Sequence, residues 1–211
     1  MGEVIVLTDQ LADRARPSAR ARPAFFFDLA CPFSYLAAER VERLLGEVEW
    51  VPVAGPLHAE ADGAALRAAA GARASELRLP LVWPESFPAP ARGALRAAAR
   101  ATQVGAGRGF ALAGARLAFC GGLDLEDPEV LVEAAAASRF DLDDCLAAAR
   151  DKTLDGPLNA TSRGLIARGV RRLPAVRVGH GFFAGEPLLS QAAAVSRAAA
   201  DCEIFSAFRS G

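Results

Sequence analysis

Phe25-Phe26-Phe27-Asp28-Leu29-Ala30-Cys31-Pro32-Phe33-Ser34-Tyr35-Leu36 is the stretch that decides the fold. A continuous apolar run of this length, rich in β-formers, reads as a buried strand. Proline at a first helical position then opens the apolar periodicity of a helix running from Phe33 to Leu45, which Gly46 ends. Cys31 therefore sits at a strand-to-helix junction. There the free N–H groups and the dipole of the helix favour an anion, so its thiol is expected to ionise more easily than a free one. Ser34 stands where a dithiol exchanger would carry its second cysteine, which makes this a Cys-x-x-Ser site.

Working outward, the buried strand covers Ala24 to Leu29, and Val48 to Val53 supplies a second strand after Gly46. Two strands joined by one helix imply a right-handed parallel crossover. Upstream, Val4 to Thr8 reads as a short strand, and residues 13–22, rich in arginine and proline, as an exposed arm. Downstream, the pattern changes from Gly55 to about Asp155. Alanine-rich helical segments recur at Asp62–Ala74, Ala91–Val104, Arg108–Phe119, Pro128–Ser138 and Leu142–Arg150, with a weak strand signal at Leu79–Trp83. A further helix, Pro157 to Arg168, stops at Gly169. Ala175–Val178 and Phe182-Phe183 then flank a Gly-His-Gly turn as a hairpin, and a last helix runs from Pro187 to about Ala200. Without the helical block the order is β-α-β, then α-β-β-α. That order gives an α/β, thioredoxin-like fold with a large all-helical insertion. The expected organisation is an N-terminal strand and arm (residues 1–22), a thioredoxin-like domain (23–56 and 156–211) and a helical insertion (57–155).

Composition narrows the function classes. The chain has 211 residues, with 24 basic against 25 acidic side chains and a net charge of −1. That is no electrostatic footprint for nucleic acid or an anionic membrane. No apolar run approaches the roughly 18 residues of a membrane span, and Met1–Asp9 lacks the basic leader of a signal peptide. Cys31, Cys120, Cys145 and Cys202 are widely spaced, and His58 and His180 complete no metal-ligand pattern. A reducing cytoplasm and a metal-free site are the expectation.

Phe27-Asp28-Leu29-Ala30-Cys31-Pro32-Phe33-Ser34-Tyr35-Leu36 resembles the opening of the 2-hydroxychromene-2-carboxylate isomerase and kappa-class glutathione transferase branch of the DsbA-like superfamily. Leu79-Pro80, Trp83-Pro84-Glu85-Ser86-Phe87-Pro88, Leu125-Glu126-Asp127-Pro128-Glu129-Val130-Leu131 and Ala167-Arg168-Gly169-Val170 are similar to that branch's punctuation. The resemblance covers roughly Ala24 to Leu189. It departs from the pattern at several points. Cys31 replaces the serine that contacts the glutathione thiolate, as in DsbA-like oxidoreductases. Arg172-Leu173-Pro174-Ala175 replaces Gly-Val-Pro-Thr at the family's cis-proline. Ala184-Gly185-Glu186-Pro187 replaces Gly-Gln-Asp-Arg, and Ala89 stands where an asparagine is common.

The resemblance implies Cys31 and Ser34 as catalytic residues, the serine either hydrogen-bonding the thiolate or serving only as a helix-start residue. Pro32, Phe33, Leu173, Pro174 and Glu186 would bind the thiol cofactor. Pro174 would be cis and packed against Cys31, leaving the Leu173 backbone to pair with an extended thiol peptide. Glu186 would hold the ligand's amino group, or simply suit a helix N-terminus. Arg171 or Arg172 could lie near Cys31, although a solvated pair is the default. Cys120, Cys145 and Cys202 read as small core or boundary residues, His180 as a turn and His58 as a loop residue. Trp83, Phe87, Phe110 and Phe119 either wall an apolar cleft or pack in the core.

The leading expectation is a cytoplasmic, DsbA-like thiol-dependent oxidoreductase or transferase. It would use monothiol chemistry at Cys31 with glutathione or another low-molecular-weight thiol. Two alternatives stand beside it. One is a glutathione-dependent isomerase acting on an aromatic substrate, and the other a catalytically decayed thioredoxin-like binding protein. A homodimer is compatible with the branch.

Overall fold

A computed structural model of the chain describes residues 22–54, 63–88 and 90–209, with side chains through residue 201. The expected Val4–Thr8 strand, most of the 13–22 arm, His58, Ala89 and the Cys202 side chain lie outside the described residues.

The first strand, β1 (Ala24–Phe27), is buried along its whole length. Its alternating side chains serve two cores. Phe25 and Phe27 belong to the larger cluster, with Tyr35, Trp50, Phe110 and Phe119. Ala24 and Phe26 belong to a smaller one, with Val53, Leu165 and Leu173. A strand buried on both faces must be central. The sheet order is β2-β1-β3-β4, with β2 (Glu49–Pro52) parallel to β1, β3 (Ala175–Val178) antiparallel to it, and β4 (Gly181–Ala184) antiparallel at the edge. The hairpin turns on Gly179, at φ +57°, a conformation glycine adopts without a Cβ penalty.

Between β1 and β2 the single predicted helix is two: α1 (Pro32–Ala38) and α2 (Val41–Leu45). No proline or glycine marks the break. Arg40, which stands there, leaves helical geometry at φ −127°, and its guanidinium is bound to the buried carboxylate of Glu186.

The helical block comprises α3 (Gly63–Leu77), α4 (Arg92–Gln103), α5 (Gly107–Phe119), α6 (Pro128–Ser138) and α7 (Leu142–Arg150). The last two start where aspartates cap them. Asp127 accepts from the backbone N–H of Glu129, and Asp141 from that of Asp144. Buried alanines on α4, α5 and α6 let these helices approach closely. The weak strand signal at Leu79–Trp83 forms no strand. That segment is tied down singly, by Val82 N–H to Phe119 O at 2.7 Å and by the Tyr35 hydroxyl donating to Pro80 O at 2.8 Å.

After a 3-10 turn at Lys152–Leu154, α8 (Asp155–Ala167) leads back to β3. A second 3-10 turn, Glu186–Leu188, precedes α9 (Leu189–Arg209). The α/β thioredoxin-like arrangement with a helical insertion is thus the one the chain adopts. Among the described residues no helix is long and apolar enough to cross a membrane.

Candidate functional site

At the carboxyl end of β1 the chain makes a tight loop that fixes Cys31. The Asp28 carboxylate accepts from Ala30 N–H at 2.8 Å, and Cys31 N–H donates to Asp28 O at 3.0 Å. Ser34 Oγ accepts from Asp28 N–H at 3.2 Å, which closes the loop from the helix side. Cys31 is the N-cap of α1, with Pro32 at the first helical position.

From the far side of the sheet, the segment before β3 brings Leu173 and Pro174 to the same place. The Leu173–Pro174 bond is cis, and the Leu173 carbonyl oxygen lies 3.9 Å from Cys31 Sγ as acceptor of the thiol. That carbonyl, expected to face a ligand, is turned to the thiol, and Leu173 is buried.

Burial works against the expected acidity of Cys31. Its side chain is 3 % exposed. Burial pushes the thiol up to about 12, and the neighbouring Asp28 charge pushes the same way. Hydrogen bonds from Ser34 and the Phe33 backbone oppose this and lose. The helix that was to supply the dipole is only seven residues long, too short to offset burial.

Asp28 is the titratable group that the sequence reading passed over. It is 7 % exposed. Burial raises it to about 6, against the lowering influence of the Ala30 N–H and of Arg92. It also lines a cavity of about 410 Å3, formed by Asp28, Ala30, Ala54, Pro90, Ala91, Arg92, Leu95 and Asn159. Asp28 thus lines the cleft, while Cys31, three residues on, is not among its lining residues. The sequence signal for it was a carboxylate directly after a fully buried strand.

Glu186 is not placed as a ligand-binding group with a free carboxylate. It is 1 % exposed, and its two oxygens are bound by the guanidiniums of Arg40 and Arg73. The contact ties α3 of the helical block to the sheet domain. Arg171 donates to Ile166 O at 2.8 Å, and the stem of Arg172 lies over Gly185. Neither arginine is among the groups that set the Cys31 pKa.

Of the four aromatic residues, three gather. Trp83 and Phe87 lie 4.7 Å apart between centroids, and each is 6.3 Å from Phe119. The guanidinium of Arg67 lies 5.3 Å from each of the Trp83 and Phe87 rings. The slit that Phe87 and Phe119 line with Leu29, Ala30 and Pro84 holds only about 20 Å3, too little for an aromatic substrate. Phe110 packs elsewhere, edge-on to Phe140. A larger groove of about 860 Å3 runs past Pro23, Gly46, Val178 and His180 at the opposite end of β1, lined by none of the site residues.

Among the described residues no second thiol approaches Cys31. Cys120 lies 3.2 Å from the Tyr35 hydroxyl, and Cys145 is buried against Leu131 O. No cluster of metal-ligating side chains occurs among the described residues.

Residues 24–194 match the family described as the DSBA-like thioredoxin domain. No curated protein matches the sequence. A solved structure of a 2-hydroxychromene-2-carboxylate isomerase superposes with a TM-score of 0.66 at 15 % identity, covering 88 % of this chain and 98 % of the other. A Streptomyces coelicolor protein assigned as a probable DsbA oxidoreductase gives 0.65 at 19 %, covering 84 % and 90 %. A candidate protein disulfide isomerase from Nitrosomonas europaea gives 0.63 at 16 %, covering 81 % and 95 %. At these identities the superpositions speak for the fold.

Proposed function

The chain belongs to the DsbA-like thioredoxin domain family, whose members are thiol oxidoreductases and isomerases, and we propose that it performs monothiol chemistry at Cys31 on a low-molecular-weight disulfide. The observation that carries this reading is the position of Asp28, three residues before Cys31 in the loop that fixes the thiol, where its charge is felt at Cys31 and it lines the neighbouring cleft. A buried thiol is unreactive until its proton has somewhere to go, and Asp28, raised to about 6, is a base with one face on the cleft. In the step, the Cys31 sulfur bonds to one sulfur of the disulfide as the S–S bond breaks. The Cys31 proton passes to Asp28 and then to the departing thiolate, giving a mixed disulfide and one free thiol. Ser34 has no sulfur with which to resolve the adduct. A second external thiol must attack it, release the ligand as a disulfide and restore the Cys31 thiol.

The isomerase alternative needs a bound glutathione held through its amino group. The carboxylate expected to hold it, Glu186, is taken by Arg40 and Arg73, so the residues present do not fit that contact.

The test is intact mass after exposure of the reduced protein to oxidised low-molecular-weight thiols, with Cys31→Ala as control. One adduct on wild type and none on the variant is expected. No adduct at Cys31 under any of them overturns the reading.

A further inference from the structure

Arg92, Arg96 and Arg100 recur at four-residue intervals along α4 and so share one face. Two of them are neutralised by neighbouring helices. Arg96 is held bidentately by Asp155, at 2.8 and 2.7 Å, and Arg100 by Asp144 at 2.9 Å. Arg92 is not. Among the described residues it makes no ion pair; its guanidinium donates to the Asn159 side-chain oxygen at 3.3 Å. Its charge is felt at Asp28 and Asp155 without pairing with either. Asn159, having accepted on its oxygen, donates no hydrogen bond among the described residues. Both side chains line the same cavity as Asp28, whose remaining walls are mainly apolar, among them Ala30 and Leu95.

A guanidinium and an amide N–H2 on the rim of an apolar cavity of about 410 Å3 suit one chemistry: a carboxylate on a short apolar stem. We propose that Arg92 and Asn159 form the anion subsite of this cleft and seat the carboxylate of the small thiol or disulfide that reacts at Cys31. The substrate class is then carboxylate-bearing low-molecular-weight disulfides. The assignment rests on the thiol chemistry proposed above. The charge balance fits that chemistry. When Asp28 takes the thiol proton it becomes neutral, and Arg92 then has no counter-charge in the cleft unless the ligand brings one.

The test compares mixed-disulfide formation at Cys31 with 3,3'-dithiodipropionate (anionic), 2-hydroxyethyl disulfide (neutral) and cystamine (cationic). Each rate is normalised to that of a free cysteine peptide. In the wild type the anionic reagent is favoured over the neutral one by about tenfold, the scale of one charge-assisted hydrogen bond, and the cationic one is disfavoured. Arg92→Gln brings the anionic-to-neutral ratio to about one, and Arg92→Lys leaves it between. A ratio that Arg92→Gln does not move overturns the subsite. A second measurement stands apart from Cys31 reactivity. In Cys31→Ser protein, 3,3'-dithiodipropionate should shift the Arg92 Nε–H and Asn159 amide resonances saturably. Absence of a saturable shift overturns the subsite. A saturable shift, with no adduct from any reagent on the wild type, retains the subsite and refutes the thiol reading.

Discussion

Replacing Asp28 by Asn should stabilise the protein at neutral pH, and the size of the gain follows from the site. The carboxyl titrates at about 6 in the fold against 3.8 as a free side chain. Burial is the main cause, and at 7 % exposure little solvent remains to screen it. Because the folded value is raised, the folded state binds more protons than the unfolded one between those two pH values. Stability is therefore fully supported below about pH 4 and lost as the pH climbs through about 6. A displacement of about two units corresponds to about 3 kcal/mol. Asn keeps the acceptor for Ala30 N–H and removes the charge. Urea unfolding of the two proteins across pH 4 to 8 should give curves that meet at the acid end. By pH 7.5 the variant should be ahead by about 3 kcal/mol. A variant less stable than wild type at pH 7.5, or a difference that does not shrink toward pH 4, would refute the reasoning. The same substitution has a kinetic signature. With the proton acceptor gone, adduct formation at Cys31 should slow at pH 7 by about a hundredfold, the lower end for general-base catalysis. At pH 10, where removal of a neighbouring negative charge leaves more thiolate, it should accelerate.

Three further expectations follow. Glu186→Gln should cost about 3 kcal/mol in urea unfolding, because it removes the carboxylate from the Arg40 guanidinium, whose side chain is only 13 % exposed, and leaves Arg73 with Glu76 alone; a variant as stable as wild type would mean the ion-pair node is not structural. Iodoacetamide alkylation of Cys31 should keep rising beyond pH 9 without levelling off, since the thiol is pushed up to about 12; a midpoint at or below 8.5 would show that the helix start prevails over burial. Ser162→Ala should be neutral or stabilising by about 1 kcal/mol, since the Ser162 hydroxyl is buried without a hydrogen-bond partner among the described residues; a loss of more than that would place a partner at this hydroxyl.

What was legible in the sequence depended on how local its cause was. The phenylalanine run identifies β1 because burial on both faces leaves no room for polar residues. Residues Pro128–Ser138 and Leu142–Arg150 are helical to the residue because Asp127 and Asp141 cap them through contacts two or three positions away. The break after Ala38 was not legible, since its partner, Glu186, lies 146 positions from Arg40. The same holds for Arg73 with Glu186, and for Arg92 with Asn159, 67 positions apart. A carboxylate at the start of a helical stretch reads as a dipole partner or a ligand group until the fold brings two arginines onto it. Asp28 was in plain view within the motif. Its effect on Cys31 depends on how completely the loop is buried, which no spacing encodes.

That burial changes what a cysteine at a strand-to-helix junction means. A helix end favours a charged group there by a fraction of a kcal/mol to about 1 kcal/mol. Complete desolvation of the same group costs several times more, and Asp28 adds repulsion. Burial and Asp28 both favour the protonated form of Cys31, and under the proposed chemistry its reactivity would depend on what lets Asp28 accept its proton. Arg92 holds the Asp28 pKa down, so a carboxylate seated on Arg92 cancels that influence and adds a like charge of its own. Both effects would raise Asp28 and make it the stronger base. Under the proposed chemistry, binding and thiol activation would then be linked: a ligand of the right charge would strengthen the proton acceptor that its own attack uses, and a neutral ligand of the same size would react without that help.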